Sequence, residues 1–124
     1  MSRDHRKLNV FTLADALVLQ VYAKTAIFSS EERFELRSQV RRSAVSSAAN
    51  IVEGCARKTT RDYLRFLSIA TGSAAETLYL LDLSTRLGFL KAEVYREFEP
   101  KYSRLISGLK KLITSLEEAD SVQA

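Results

Sequence analysis

This sequence predicts an all-α fold, an antiparallel up-down four-helix bundle forming one domain over residues 1–124. Its 124 residues contain four glycines and one proline, too few breaks for many short strands and turns. Ala, Leu, Ser, Arg and Glu are abundant, and apolar residues recur at steps of three and four in four separate segments. That is the period of a helix with a buried face. A chain of this length can bury a core without disulfides or metal.

The first helix is expected over residues 12–28. The Thr12 hydroxyl can cap its first turn, and Asp15 complements the positive end of the helix dipole. Leu13, Leu17, Val21 and Phe28 fall on one side, while Val18, Leu19, Tyr22 and Ala26 occupy much of the other. A helix apolar around most of its circumference needs cover on more than one side, which a small bundle with one core does not supply. Oligomerisation is the natural remedy.

The second helix is expected over 30–54, opened by Ser29 and Glu32 at capping-box spacing and stopped by Gly54. A short basic connection follows, and Thr59 or Thr60 can cap a third helix over 60–87 that ends near Gly88. Its broad apolar face carries Tyr63, Phe66, Leu67, Ala70, Ala74, Thr77, Leu78 and Leu81, with Ser73 set among them. Gly72, Ala75, Tyr79 and Leu83 make a weaker strip opposite, readable as a subunit contact or as scattered surface apolars. The fourth helix is expected over 91–118, where Phe98, Tyr102, Leu105, Leu109, Leu112 and Leu116 step as a bundle seam does. Pro100 predicts a kink or local break between Glu97 and Pro100. Residues before Lys7 and from Asp120 onward have no pattern and are expected to fray.

Within the second helix Gln39, Ser43, Ser46, Asn50 and Glu53 form a polar stripe beside the apolar Val40, Ala44 and Ile51. Polar groups so placed need partners. A structural network of Gln39, Asn50, Glu53, Ser73 and Glu76, set between the second and third helices, would satisfy them and fix register. A catalytic or metal role is disfavoured. Carboxylate-bridged metal sites in bundles use Glu-x-x-His pairs, and the one histidine is His5, outside every helical pattern. The usual base for a Ser or Cys nucleophile is missing for the same reason. The four glycines are dispersed, so no phosphate-cradling loop is present. The expectations are therefore no enzyme activity, no cofactor, no metal and no small-molecule substrate. One cysteine, Cys55, fits a reducing compartment; with no secretory h-region and no bilayer-length apolar run, it points to a cytoplasmic protein without membrane contact.

The net charge of +4 is unevenly spread. Arg33, Arg37, Arg41, Arg42, Arg57, Lys58, Arg61 and Arg65 lie in one stretch that holds only Glu35, Glu53 and Asp62 as acids, leaving the remainder near neutral. These eight cations are the nucleic-acid-binding candidates, because phosphate contact needs several cations on one surface. Salt bridging to Glu31, Glu32, Glu35 and acids of other helices is the competing account. Tyr63 and Phe66 lie nearby in sequence, but their spacing marks them as core.

The pattern Gln39-x-x-Arg42-Ser-Ala-x-Ser-Ser-x-x-Asn50-Ile-x-Glu53-Gly54, then Arg57, then Phe66-Leu-x-Ile-Ala-x-Gly72-Ser73-x-x-Glu76 resembles the four-helix bundle proteins encoded by intervening sequences in 23S ribosomal RNA genes. The likeness covers nearly the whole chain, with Val52 where alanine is common and Ala48 in place of a more usual isoleucine. It implies a homopentameric ring. It also implies a distant similarity to the accessory variability determinant of diversity-generating retroelements, a basic pentamer that binds nucleic acid and the reverse transcriptase. Members are often labelled ribosomal proteins from gene location, and the resemblance supplies no assigned activity. The expected function is a bacterial, non-catalytic, nucleic-acid-binding accessory protein, with RNA favoured over DNA by family context. The alternative is an oligomeric adaptor for a protein partner such as a reverse transcriptase, with the arginines bridging subunits.

Overall fold

Leu17, Val21, Val40, Ile51, Leu67, Leu81, Leu105 and Leu109 are almost wholly removed from solvent, and burying such side chains is the main term that drives helices together. They come from four helices. The structure, a computed structural model, describes the backbone of residues 3–28 and 31–123 and the side chains of all of these except 31–33 and 123. Over the described residues the molecule is all-α. A short 3-10 turn, His5–Lys7, leads into α1 (Asn9–Thr25), α2 (Glu31–Cys55), α3 (Thr60–Arg86) and α4 (Ala92–Gln123).

Each helix packs on the next in sequence, and α4 also meets α1. Contacts between α2 and α3 join rising positions of one to falling positions of the other, as in Ser43 with Thr77 and Ser46 with Ser73. The start of α3 is capped by the Thr59 hydroxyl, which accepts the Asp62 N–H at 3.1 Å. Its end is closed by Gly88, whose φ of 84° is a left-handed conformation that suits glycine. There the Phe89 N–H reaches back to the Ser84 carbonyl at 2.9 Å.

Several elements depart from the sequence expectation. The first helix starts at Asn9, and the Thr12 hydroxyl donates to the Leu8 carbonyl instead of capping an end. It stops at Thr25. Phe28 lies beyond it as a separate buried anchor, its ring 5.9 Å from that of Phe89. The proposed Ser29 cap lies outside the described residues. Gly54 does not stop α2, which continues to Cys55; a Cβ there would come within 3.0 Å of both Phe66 Cβ and Tyr63 Cδ1. Its smallness lets α2 and α3 touch.

Pro100 does not break α4, which is helical from Ala92 to Gln123. The proline is exposed, so the carbonyl that loses its helical partner can turn to water. Helix also continues past Asp120, where fraying was expected. Toward the other terminus Asp4 caps the 3-10 turn, accepting the Arg6 N–H at 3.0 Å, so residues 3–6, where fraying was expected, are built into the fold. No helix among the described residues is long and apolar enough to cross a membrane.

Candidate nucleic-acid interface

The close crossing at Gly54 determines what surrounds the connection between α2 and α3. Tyr63 is buried beneath it and Phe66 is half-buried beside it. Guanidinium groups cover both rings. Arg3 lies 4.2 Å from the Tyr63 centroid, while Arg57 and Arg65 lie 4.7 and 4.4 Å from that of Phe66. Stacking of this kind holds a planar cation in place while its N–H edge remains available. Lys58 and Arg61 stand exposed on the same connection and first turn of α3.

Arg3 arrives from a distant part of the chain. Its backbone N–H donates to the Cys55 carbonyl at 2.8 Å, and its Nη2 reaches the Thr60 hydroxyl at 3.5 Å. The N-terminal turn thus adds a cation to a basic end already furnished by Arg57, Lys58, Arg61 and Arg65. Arg57 also pairs with Glu53 one turn back along α2. Even so, Arg3 Nη1 and Arg57 Nε are removed from solvent without a hydrogen-bond partner, an arrangement that normally calls for an acceptor.

The arginine ridge on α2 is occupied differently. Arg37 Nη1 donates to the Phe28 carbonyl at 3.0 Å; Arg41 donates to the Thr25 hydroxyl and the Tyr22 carbonyl, each at 3.0 Å. These are acceptors at and just beyond the C-terminal end of α1, where a cation complements the helix dipole. Arg42 is exposed. It has no hydrogen bond or ion pair among the described residues. Arg33 lies on the first turn of α2, with its side chain outside the described residues.

The polar stripe of α2 meets α3 mainly through hydroxyl groups. Ser46 and Ser73 share a hydrogen bond of 2.8 Å, and Thr77 donates to Ser43 at 2.8 Å. Asn50 Nδ2 donates to the Ser46 carbonyl and hydroxyl at 2.8 and 3.0 Å. Of the members expected in this network Asn50 and Ser73 take part, whereas Gln39, Glu53 and Glu76 are placed elsewhere. Glu53 turns to Arg57, while Gln39 and Glu76 are exposed at a polar groove shared with Arg42, Ser43 and Ser46. Short hydroxyls suit the gap between closely packed helices better than long charged side chains, which would be costly to desolvate there.

Two groups near the crossing have shifted acidity. Burial pushes the Cys55 thiol up, partly offset by the Tyr63 hydroxyl 3.9 Å away and by the charge on Arg3. Burial also raises Tyr63 well beyond the usual phenol range, with Cys55 adding to the effect. A thiol so placed stays protonated and is a poor nucleophile. The histidine side chain packs edge-on to Phe11, the ring centroids 4.6 Å apart.

Sequence reasoning missed Arg3, and it missed the stacking of Arg41 on Tyr22 and of Arg37 on Phe34. A signal for Arg3 existed in the Asp4-x-Arg6 pair, which marks a capped turn able to dock the N-terminus. For Tyr22 and Phe34 it lay in large apolar residues next to the arginine ridge.

Four helices, a hydroxyl-linked α2–α3 pair and a basic, aromatic-backed end define an all-α bundle-type protein. The chain belongs to the 23S rRNA-intervening sequence protein family, whose model matches residues 6–111. It is also similar to a protein of unknown function from the S23 ribosomal protein family of Bacteroides thetaiotaomicron, with 25% identity and a TM-score of 0.78 over 84% of this chain and 97% of that one. No curated protein matches.

Proposed function

We propose that this protein is a non-catalytic RNA-binding accessory protein that grips phosphate at the end where the N-terminal turn meets the α2–α3 connection. The observation that carries this reading is the convergence of Arg3 with Arg57, Lys58, Arg61 and Arg65, of which Lys58, Arg61 and Arg65 are exposed. Phosphate oxygens can accept from their exposed N–H groups, and release of counterions from the nucleic acid drives binding. RNA is favoured over DNA by the family's tie to ribosomal RNA genes. The buried, protonated Cys55 and the packed His5 are consistent with binding without catalysis.

The four helices are read as an antiparallel up-and-down bundle, supported by the opposed pairing of α2 with α3. We infer further that bundles assemble into a closed homo-oligomer, a pentamer on the family resemblance. Leu19 on α1 is 69% exposed and Ile27 just beyond it is 59% exposed, so apolar surface of this region is left uncovered in one chain. A ring repeats the basic end around an axis and raises avidity without strong single-site contacts.

The test is binding of labelled structured RNA across a salt series. Log affinity should fall linearly and steeply with log salt. Failure to bind at low salt contradicts the proposal.

A further inference from the structure

Beside the arginine ridge, Tyr22 from α1 and Phe34 from α2 line an open cleft of about 430 Å³ together with Arg37, Arg41 and Arg42. The volume lies within the range of small-ligand sites, about 300–1,000 Å³. Both rings remain accessible, Tyr22 at 43% and Phe34 at 56% exposure. Each carries one stacked guanidinium, Arg41 at 4.4 Å over Tyr22 and Arg37 at 4.9 Å over Phe34. Those two arginines are fixed by their bonds to Tyr22, Thr25 and Phe28. The aromatic walls are therefore braced, and Arg42 stands at the cleft without a partner among the described residues.

We propose that this cleft receives an unpaired nucleotide of RNA, its base stacking on Tyr22 or Phe34 and its phosphate meeting Arg42. The inference rests on the RNA-binding reading and adds a second contact to it, apart from the α2–α3 end. Charge decides between occupants: three arginines and no described carboxylate line the cleft, which suits a polyanion with flat apolar bases. Every base offers a π-face, so such a platform recognises single-strandedness more than sequence. The exposed aromatic faces supply stacking and Arg42 supplies neutralisation, the two parts of a single-strand groove. Arg37 and Arg41 act as positioning residues.

The experiment compares a labelled oligoadenylate with an abasic ribose-phosphate oligomer of equal length at low salt. The native protein should bind the oligoadenylate roughly tenfold more tightly per stacked base. The Tyr22→Ala/Phe34→Ala variant should lose that preference while binding the abasic oligomer as before, with unchanged circular dichroism and native mass. Equal binding of both oligomers by the native protein overturns the cleft assignment alone. So does a preference that survives in the double variant. A changed native mass with the preference intact makes the cleft a contact between chains and likewise overturns it. Loss of the α2–α3 proposal looks different: removing Lys58 and Arg61 would leave abasic binding untouched while the base preference persists.

Discussion

Two glycines separate the consequences of one methyl group. Gly54 sits where α2 touches α3, and an added Cβ meets Phe66 Cβ and Tyr63 Cδ1 at 3.0 Å and the Tyr63 carbonyl at 3.4 Å. A Cβ and a backbone carbonyl cannot swing aside, so Gly54→Ala should destabilise by about 1–3 kcal/mol despite the better helix propensity of alanine. Gly72 lies within α3, is exposed, and would meet nothing within 4 Å. Gly72→Ala should stabilise the chain by roughly 0.5–1 kcal/mol. Urea unfolding of the two variants checks both signs. Sequence reading had made Gly54 a helix stop, because a glycine that follows an apolar run looks the same whether it ends a helix or admits a neighbour. Gly88 was legible as a terminator because a positive φ beyond the last apolar residue is what glycine commonly supplies.

At the scale of elements, the arginines of α2 act first on α1. Arg41 holds the Tyr22 carbonyl and the Thr25 hydroxyl, a bidentate grip near the negative end of the α1 dipole. Arg41→Ala should cost about 1–2 kcal/mol, measured by chemical denaturation, because two hydrogen bonds from a charged donor are lost at a partly solvated site. Arg41→Lys should recover only part of that, since a single ammonium does not reproduce the planar fork. If Arg41→Ala left stability unchanged, the anchoring role would be refuted. The spacing of Arg37 and Arg41 was legible in the sequence, but their acceptors were not. A bond from a side chain to a distant backbone carbonyl leaves no complementary residue to find. The same holds for the α2–α3 network. The polar stripe was visible from its periodicity, whereas the choice of Ser46, Ser73, Ser43 and Thr77 over Glu53 and Glu76 depends on the distance between helices.

The whole molecule has an apolar exterior that one chain leaves uncovered and a basic end assembled from both halves of the sequence. Leu19, Ile27, Tyr79 and Leu87 are more than half exposed, surface that the proposed assembly would be expected to cover. Native mass spectrometry should find a single closed oligomer, and a monodisperse monomer would defeat the ring and the avidity that follows from it. Helical content was readable from the sparse breaks and the three-four spacing. The basic end was readable only in part. Arg57, Lys58, Arg61 and Arg65 are neighbours in sequence, but Arg3 joins them only because the Asp4-capped turn docks on Cys55. Short capped turns have no periodicity to reveal them.

The central claim is that this end of the molecule holds phosphate. Its most direct test is the salt dependence of RNA binding by the native chain and by Lys58→Ala/Arg61→Ala/Arg65→Ala, with folding and native mass verified for both. If each cation meets a phosphate, the slope of log affinity against log salt should become shallower by about 0.7 per lost contact, or roughly 2 for the three together. A folded, fully assembled variant with the native slope and native affinity would contradict the account.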